Sequence, residues 1–212
     1  MKIKALSLGY VSTNTYFLSK GKQMIIIDPC LNPGNDADPL LQASADYDVQ
    51  AILLTHGHFD HISGVDALVA EHQCPVYMPE KELNYLKDPQ LNLSDQLPEP
   101  VIIESDVIGI SSGTLELGDF VFEVLDTYGH TLGSVSYKIG TDVFDGDFIF
   151  RGSVGRTDFI NGSMPLMIAY VKAFVAQYED AGLTLYPGHG PKTTLDIEMI
   201  YNPYVKEMLK QK

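Results

Sequence analysis

Cysteine is scarce in this chain. Its 212 residues hold two, Cys30 and Cys74, fewer than the disulfide framework of a small secreted domain needs. Reduced, buried thiols are the expected state, as in a reducing compartment. Positive charge is scarce as well. Lys and Arg number 14 against 28 Asp and Glu, a formal charge of −14. Such a surface repels phosphate backbones and anionic lipid, so neither nucleic acid nor membrane is expected as a partner. Part of this charge is local if carboxylates bind metal, because a cation then offsets them. Long apolar runs are missing too. None approaches the ~20 residues that span a bilayer, and the opening MKIKALSLGYVS lacks the apolar stretch of a signal peptide. No low-complexity tract interrupts the chain. The expectation is a soluble, cytoplasmic protein.

What remains is an ordinary globular composition, 45% hydrophobic and 20% charged. The length suits a single domain over 1–212 with a sizeable core. Segments Asn14–Ser19 and Gln23–Asp28 flank Lys20-Gly21-Lys22 and predict a hairpin. Met24-Ile25-Ile26-Ile27 is continuously apolar, as in a strand buried on both faces. Asp38–Ala45 is a weak helix, Val49–Leu54 a strand, Ile62–His72 an amphipathic helix, Pro75–Met78 a strand and Pro79–Leu86 a helix. Residues 88–112 read as a surface excursion rich in Pro, Ser, Asp and Glu. Strands follow at Thr114–Leu117, Phe120–Asp126, Ser134–Ile139 and Asp142–Asp145. Ser163 caps a clear helix with Pro165 in its first turn. Leu183–Tyr186 is a last strand, and short helices lie around Leu195–Tyr201 and Pro203–Lys210. Strands with helices interposed predict a layered α/β fold.

Histidine carries the chemistry. His56-x-His58-x-Asp60-His61 puts four ligand-type side chains in six residues, after a strand and before a helix. In extended chain, residues two apart point the same way, so His56 and His58 can face one ion. The turn into the helix aims Asp60 and His61 elsewhere, toward a second. Imidazole and carboxylate suit zinc, and also iron or manganese. His130 stands between Gly129 and Gly133, and His189 between Gly188 and Gly190 after a strand. Such glycines let backbone approach a site, and ligands gather at strand ends in α/β proteins. Asp145 and Asp147 compete for the role of a carboxylate bridging two ions. Asp28 ends a buried strand and either orients a ligand His through its ring N–H or caps the following turn. His72, late in the 62–72 helix, reads as structural.

These motifs, in this order, resemble the metallo-β-lactamase superfamily: His56-x-His58-x-Asp60-His61, Gly129-His130-Thr131, Gly146-Asp147 and Gly188-His189-Gly190. The resemblance covers nearly the whole chain. It implies a four-layered αβ/βα sandwich with the metal site at one edge of the two sheets. It assigns His56, His58 and His130 to one metal, Asp60, His61 and His189 to the other, and Asp147 to both. The stretch Gly146–Phe159, and Thr193–Asp196 leading to Asn202-Pro203-Tyr204, resemble the short members of the glyoxalase II-like group, which hydrolyse S-acylglutathione thioesters. The longer enzymes of that group carry a further C-terminal helical domain that holds glutathione, and most of it is not expected here. Their basic residue after the bridging Asp matches Arg156. Their aromatic two residues later is here Asp158, which sets an acid against a glutathione carboxylate. The common β-lactamases place Cys where Asp147 stands, which implies a role other than antibiotic hydrolysis.

The implied chemistry is that of two divalent ions, zinc foremost, sharing one water. Their charge gives hydroxide near neutral pH, which attacks a carbonyl whose oxyanion the metals stabilise. A thioester suits this site, since a thiolate of pKa about 8.5 leaves without a dedicated acid. Asp60 binds metal and orients the nucleophile. Arg156 either pairs with a substrate carboxylate or stabilises its own loop through a salt bridge. The alternatives are a lactonase or esterase, and a persulfide dioxygenase using a single iron.

Overall fold

The computed structural model describes residues Met1–Gln211; Lys212, the last residue of the expected 1–212 domain, lies outside the described residues. The chain gathers into two compact units. One comprises Met1–Ser111 and Glu116–Val121, the other Ser112–Leu115 and Phe122–Lys212. No helix among the described residues is long and apolar enough to cross a membrane.

The first unit is built on a six-stranded sheet. Its strands are β1 (Lys2–Leu8), β2 (Thr13–Lys20), β3 (Gln23–Ile27), β4 (Asp48–Leu53), β5 (Val76–Pro79) and β6 (Val107–Ile110), in that order across the sheet. β1, β2 and β3 pair antiparallel through tight turns, while β3 through β6 run parallel. Parallel neighbours need crossovers. Helices α1 (Asp38–Ser44), α2 (Phe59–Ile62) and α3 (Val65–His72), with a 3-10 helix at Glu80–Lys87, lie in those connections. Ile26, Ile52 and Val76 from the sheet pack with Leu40, Ile62, Val65 and Leu68 from the helices, all fully buried. Burial of each such side chain stabilises the fold by about 1.5–3 kcal/mol.

The helix expected over Ile62–His72 is two helices. It breaks at Ser63-Gly64 because the chain passes too close to its neighbours to continue. The Gly64 amide donates to the Pro29 carbonyl at 2.8 Å. A Cβ there would lie 2.5 Å from Leu40 Cδ1. His72 is structural, as expected: its Nε2 lies 2.8 Å from Ser44 Oγ, joining α3 to α1. The segment expected as a helix over Pro79–Leu86 is the 3-10 helix.

The surface excursion over 88–112 needs the larger correction, since it contains β6 and is pinned at several points. The buried Asn92 amide donates to the carbonyls of Tyr85 and Val101, at 2.8 and 2.9 Å. Asp66 on α3 accepts from the amides of Glu104 and Ser105, both at 2.9 Å, and from Ser105 Oγ at 2.6 Å. Asp66 lies 38 and 39 positions from its two partners, so the polar composition of the stretch hides its order.

A second six-stranded sheet uses β7 (Gly113–Leu117), β8 (Phe120–Asp126), β9 (Val135–Ile139) and β10 (Asp142–Gly146). After them come the short strands β11 (Ile149–Phe150) and β12 (Ser153–Val154), which form their own hairpin. The sheet is completed by β13 (Thr184–Pro187) and β14 (Thr193–Thr194), in the order β14-β13-β10-β9-β8-β7. Here β10 and β13 are parallel, joined through α4 (Met164–Tyr178). α4 is the capped helix expected from sequence: Ser163 Oγ accepts from the Leu166 amide, and Met167, Val171, Phe174, Val175 and Tyr178 are buried. Helices α5 (Leu195–Tyr201) and α6 (Pro203–Lys210) follow. Leu195, Val205 and Met208 from these two helices complete that unit's core. β11, β12 and β14 were not expected; each is two residues long and leaves no periodic signal. Both cysteines are free and buried, as expected.

The Asp66 bonds give a pH-dependent stability. Burial alone would raise its carboxyl pKa, but the amides of Glu104 and Ser105, with the Ser105 hydroxyl, hold it below the usual carboxylate value. A depressed folded-state pKa contributes stability above the unfolded value of about 3.9, and that stability is lost as pH falls through the folded value. Asp66→Asn is therefore expected to lower stability by about 1 kcal/mol near neutrality. The gap to the parent should close as pH drops below about 4, read from urea unfolding across that range.

Candidate metal centre

In each sheet candidate ligands sit at the carboxyl ends of a parallel strand pair, where ligands gather in α/β proteins, and His130 follows the end of β8. In the first unit the pair is β3–β4. Its register sets Ile27 beside Leu53, so Asp28 comes next to the segment that opens the His56–His61 motif. Asp28 has a φ of 51°, a left-handed conformation that costs about 1 kcal/mol or more for a residue with a Cβ. Its carboxylate is what holds it there. Oδ1 accepts from the Thr55 amide at 2.8 Å, and Oδ2 from Thr55 Oγ1 at 2.7 Å and from His61 Nδ1 at 2.9 Å. Asp28 thus contacts the ring N–H of one candidate ligand histidine, as the first of the two readings requires.

The same carboxylate acts on a second histidine. Thr55 Oγ1 gives its proton to Asp28, so it can only accept from His56 Nδ1, 3.0 Å away. A chain of donors then runs from His56 through Thr55 to Asp28. Protons on both Nδ1 atoms leave lone pairs on His56 Nε2 and His61 Nε2. His56 Nε2 faces His58 Nδ1 at 3.1 Å, and His61 Nε2 faces Asp60 Oδ2 at 3.3 Å. Thr13 Oγ1 donates to that same Asp60 oxygen at 2.5 Å. His56, His58, Asp60 and His61 are all buried.

The loop bearing them is held from behind. The Gly57 amide donates to the buried Glu82 carboxylate at 3.1 Å, and the Phe59 amide to the Asn92 carbonyl at 2.8 Å. A Cβ on Gly57 would lie 2.3 Å from Tyr85 Cβ, so the motif's glycine is required by packing. Cys30 borders the same cluster. Burial, and then the charge of Asp60, push its thiol up to about 11, so it is neutral near pH 7.

In the second unit the parallel pair is β10–β13. Gly146 stands opposite Pro187, and the Gly188 amide donates to the Gly146 carbonyl at 2.7 Å. This sets Asp147 beside His189, whose Nε2 is 3.5 Å from Asp147 Oδ2. His130 Nε2 approaches the same oxygen at 3.3 Å. Its Nδ1 donates to the Arg156 carbonyl at 2.7 Å, which fixes its tautomer. Gly155 makes room for this arrangement: a Cβ there would fall 2.0 Å from the Asp147 carbonyl oxygen and 3.3 Å from His130 Cβ. Asp145 is turned elsewhere. It is buried and accepts from the Ile149 amide at 3.2 Å. Burial first, and the Asp147 charge after it, raise its pKa well above the usual value. Of the two competing carboxylates, Asp147 is the one between the histidines.

These separations fit metal ligation. Two ligand atoms bound about 2.0–2.1 Å from one tetrahedral zinc lie about 3.3 Å apart. The facing pairs are 3.1, 3.3, 3.3 and 3.5 Å apart, and each consists of imidazole nitrogen or carboxylate oxygen. Arg156 contributes its backbone carbonyl here, whereas its side chain is exposed and engaged with Asp158. Nε and Nη2 donate to the two carboxylate oxygens at 2.9 and 2.8 Å, and the guanidinium lies 4.2 Å from the Phe159 ring centroid. The Asp158 bond raises the Arg156 pKa, and the Arg156 bond lowers that of Asp158.

Several supporting residues were not singled out in the sequence: Thr13, Thr55, Glu82 and Gly155. Thr13 lies 47 positions from Asp60 and Glu82 25 from Gly57, so no local pattern marks them. Gly155 falls in the stretch that resembles the glyoxalase II-like group, which is its only sequence signal.

Comparison with known proteins agrees with this construction. Residues 8–189 match the metallo-beta-lactamase superfamily. A "Probable metallo-hydrolase YqgX" from Bacillus subtilis (strain 168) is 35% identical, over 97% of this chain and 98% of that protein. Among solved structures, the BLEG-1 B3 metallo-beta-lactamase has a TM-score of 0.87 at 37% identity, covering 96% of this chain and 99% of that one. TTHA1623 in a di-iron-bound form has a TM-score of 0.80 at 32% identity, covering 95% and 99%. The expected fold is therefore the observed one.

Asp28→Asn tests the donor chain. An amide keeps the shape but can no longer accept from His61, Thr55 Oγ1 and the Thr55 amide together. The expected result is a stability loss of about 1–3 kcal/mol in metal-free protein. Zinc affinity should fall by about 10–100-fold, measured by competition with a chromophoric chelator.

Proposed function

The chain belongs to the metallo-β-lactamase superfamily, and from that premise we propose that it is a binuclear metal-dependent hydrolase of thioesters, working as one domain. In this reading His56, His58 and His130 would hold one divalent ion. Asp60, His61 and His189 would hold the other, with Asp147 available to both. The observation that carries it is the gathering of imidazole and carboxylate at strand ends in each unit, buried in the first and part-buried in the second, at ligand spacing. Zinc is the first choice of metal. Iron is the second, because TTHA1623 is described in a di-iron-bound form.

Bound divalent ions supply a water of lowered pKa and charge to stabilise an oxyanion. The protein's own residues do the rest. Asp28 fixes the tautomers of His56 and His61, and the Arg156 carbonyl fixes that of His130. Thr13 holds one oxygen of Asp60, which sets the direction of that carboxylate. The site's carboxylates are better placed to bind metal than to protonate a leaving group. A thiolate of pKa about 8.5 departs without such help, whereas an amide nitrogen requires it.

Glyoxalase II-like activity is the finer form of this reading. The Arg156–Asp158 pair bears on it, because a carboxylate of glutathione would have to displace Asp158 to reach the guanidinium. A second reading is β-lactam hydrolysis, favoured by the likeness to the BLEG-1 structure.

The test is a panel of S-lactoylglutathione, simpler thioesters, oxygen esters and a β-lactam, run on protein of measured metal content. Thioester turnover should disappear on chelation, return with zinc or iron, and be lost in folded His58→Ala protein. Preference for the β-lactam would select the second reading. A single iron with persulfide-dependent oxygen uptake would overturn both.

A further inference from the structure

The first unit contains a cavity of about 330 Å³ with no role in holding metal. That volume is within the range of small-ligand pockets. The cavity lies against the metal loop: Phe59 and Ser63 line it, at either end of the helical turn that carries Asp60 and His61. Its inner wall includes Cys30, the thiol that feels the charges of Asp60 and His61. Leu31, Leu97, Pro98 and Val101 supply apolar surface, and the exposed Tyr10 stands at its rim.

The polar lining is neutral or negative. Asn32 Oδ1 accepts from the Gly9 amide at 3.3 Å, holding the β1–β2 turn in place. Asn35 Nδ2 donates to Glu99 at 2.8 Å. Among the described residues no lysine or arginine lines the cavity. A carboxylate entering it would lose hydration, find no cation and meet Glu99, which disfavours it doubly. An uncharged chain loses nothing of that kind and gains apolar contact.

We propose that this cavity receives one arm of the substrate, and that it selects an uncharged, partly apolar arm over one ending in a carboxylate. The proposal rests on the thioester reading and names its substrate class. Either the acyl or the thiol side of the thioester can supply the arm, and the two are separable by experiment.

One series uses acetyl, hexanoyl and carboxyl-terminated six-carbon acyl thioesters of N-acetylcysteamine. A second uses acetyl thioesters of hexanethiol and of mercaptohexanoic acid. In the series whose arm enters the cavity, the uncharged chain should exceed its carboxylated partner by about tenfold or more in kcat/KM. Glu99→Lys should shrink that ratio, and Leu97→Trp, which fills the cavity, should reduce the advantage of the long uncharged arm. A readout independent of turnover is available because the chain has no tryptophan. Tyr10→Trp places a single indole at the rim, whose emission should shift on titration with a non-hydrolysable hexyl thioether and not with its carboxylated analogue. Turnover without discrimination in either series, together with an unchanged emission, would overturn the cavity assignment and leave the hydrolase standing. An emission shift in metal-loaded protein that hydrolyses no thioester would support the cavity and overturn the thioester reading.

Discussion

The carboxylate of Asp28 is the interaction on which the candidate ligand cluster of the first unit depends. Through His61 Nδ1 directly and through Thr55 to His56 Nδ1, it sets two tautomers with one group. It also holds its own residue in a left-handed conformation at the end of β3. Those demands are compatible only because β3 and β4 are parallel and in a register that brings Asp28 beside Thr55. Sheet topology and ligand chemistry are thus joined at one residue.

The cluster of the second unit solves the same problem with backbone. Its parallel pair, β10 and β13, sets Asp147 near His189, and a carbonyl rather than a carboxylate orients His130. That carbonyl belongs to Arg156, so the loop after Asp147 is tied to the centre through its main chain. Its side chain turns to Asp158 and Phe159 instead. This separation explains why a basic residue matched by motif need not act through its charge.

The helix break at Gly64 and the pinned 88–112 segment show where local reading stops. Residues 62–72 have helical periodicity throughout, yet contact with Pro29 and Leu40 interrupts the helix. Residues 88–112 are polar by composition, yet Asn92 and Asp66 anchor them, and the Asn92 carbonyl supports the metal loop. At Gly64 and at Asp66 the deciding partner is distant in sequence, and neither propensity nor periodicity carries information about it.

By itself the sequence determined the α/β class and most strand and helix positions, and it singled out six of the seven candidate ligands, Asp147 being named only through the family resemblance. Periodicity is a local property, and a dense run such as His56–His61 is visible without any partner. The different surroundings of Asp147 and Asp145, the contact of Asp28 with His61 and the engagement of Arg156 by Asp158 were decided by tertiary structure. The supporting roles of Thr13, Thr55, Glu82 and Gly155 were decided there too. Each depends on which atoms face one another across strands or loops, and a contact of 2.5–3.5 Å is set by that approach and by nothing in the order of the residues alone.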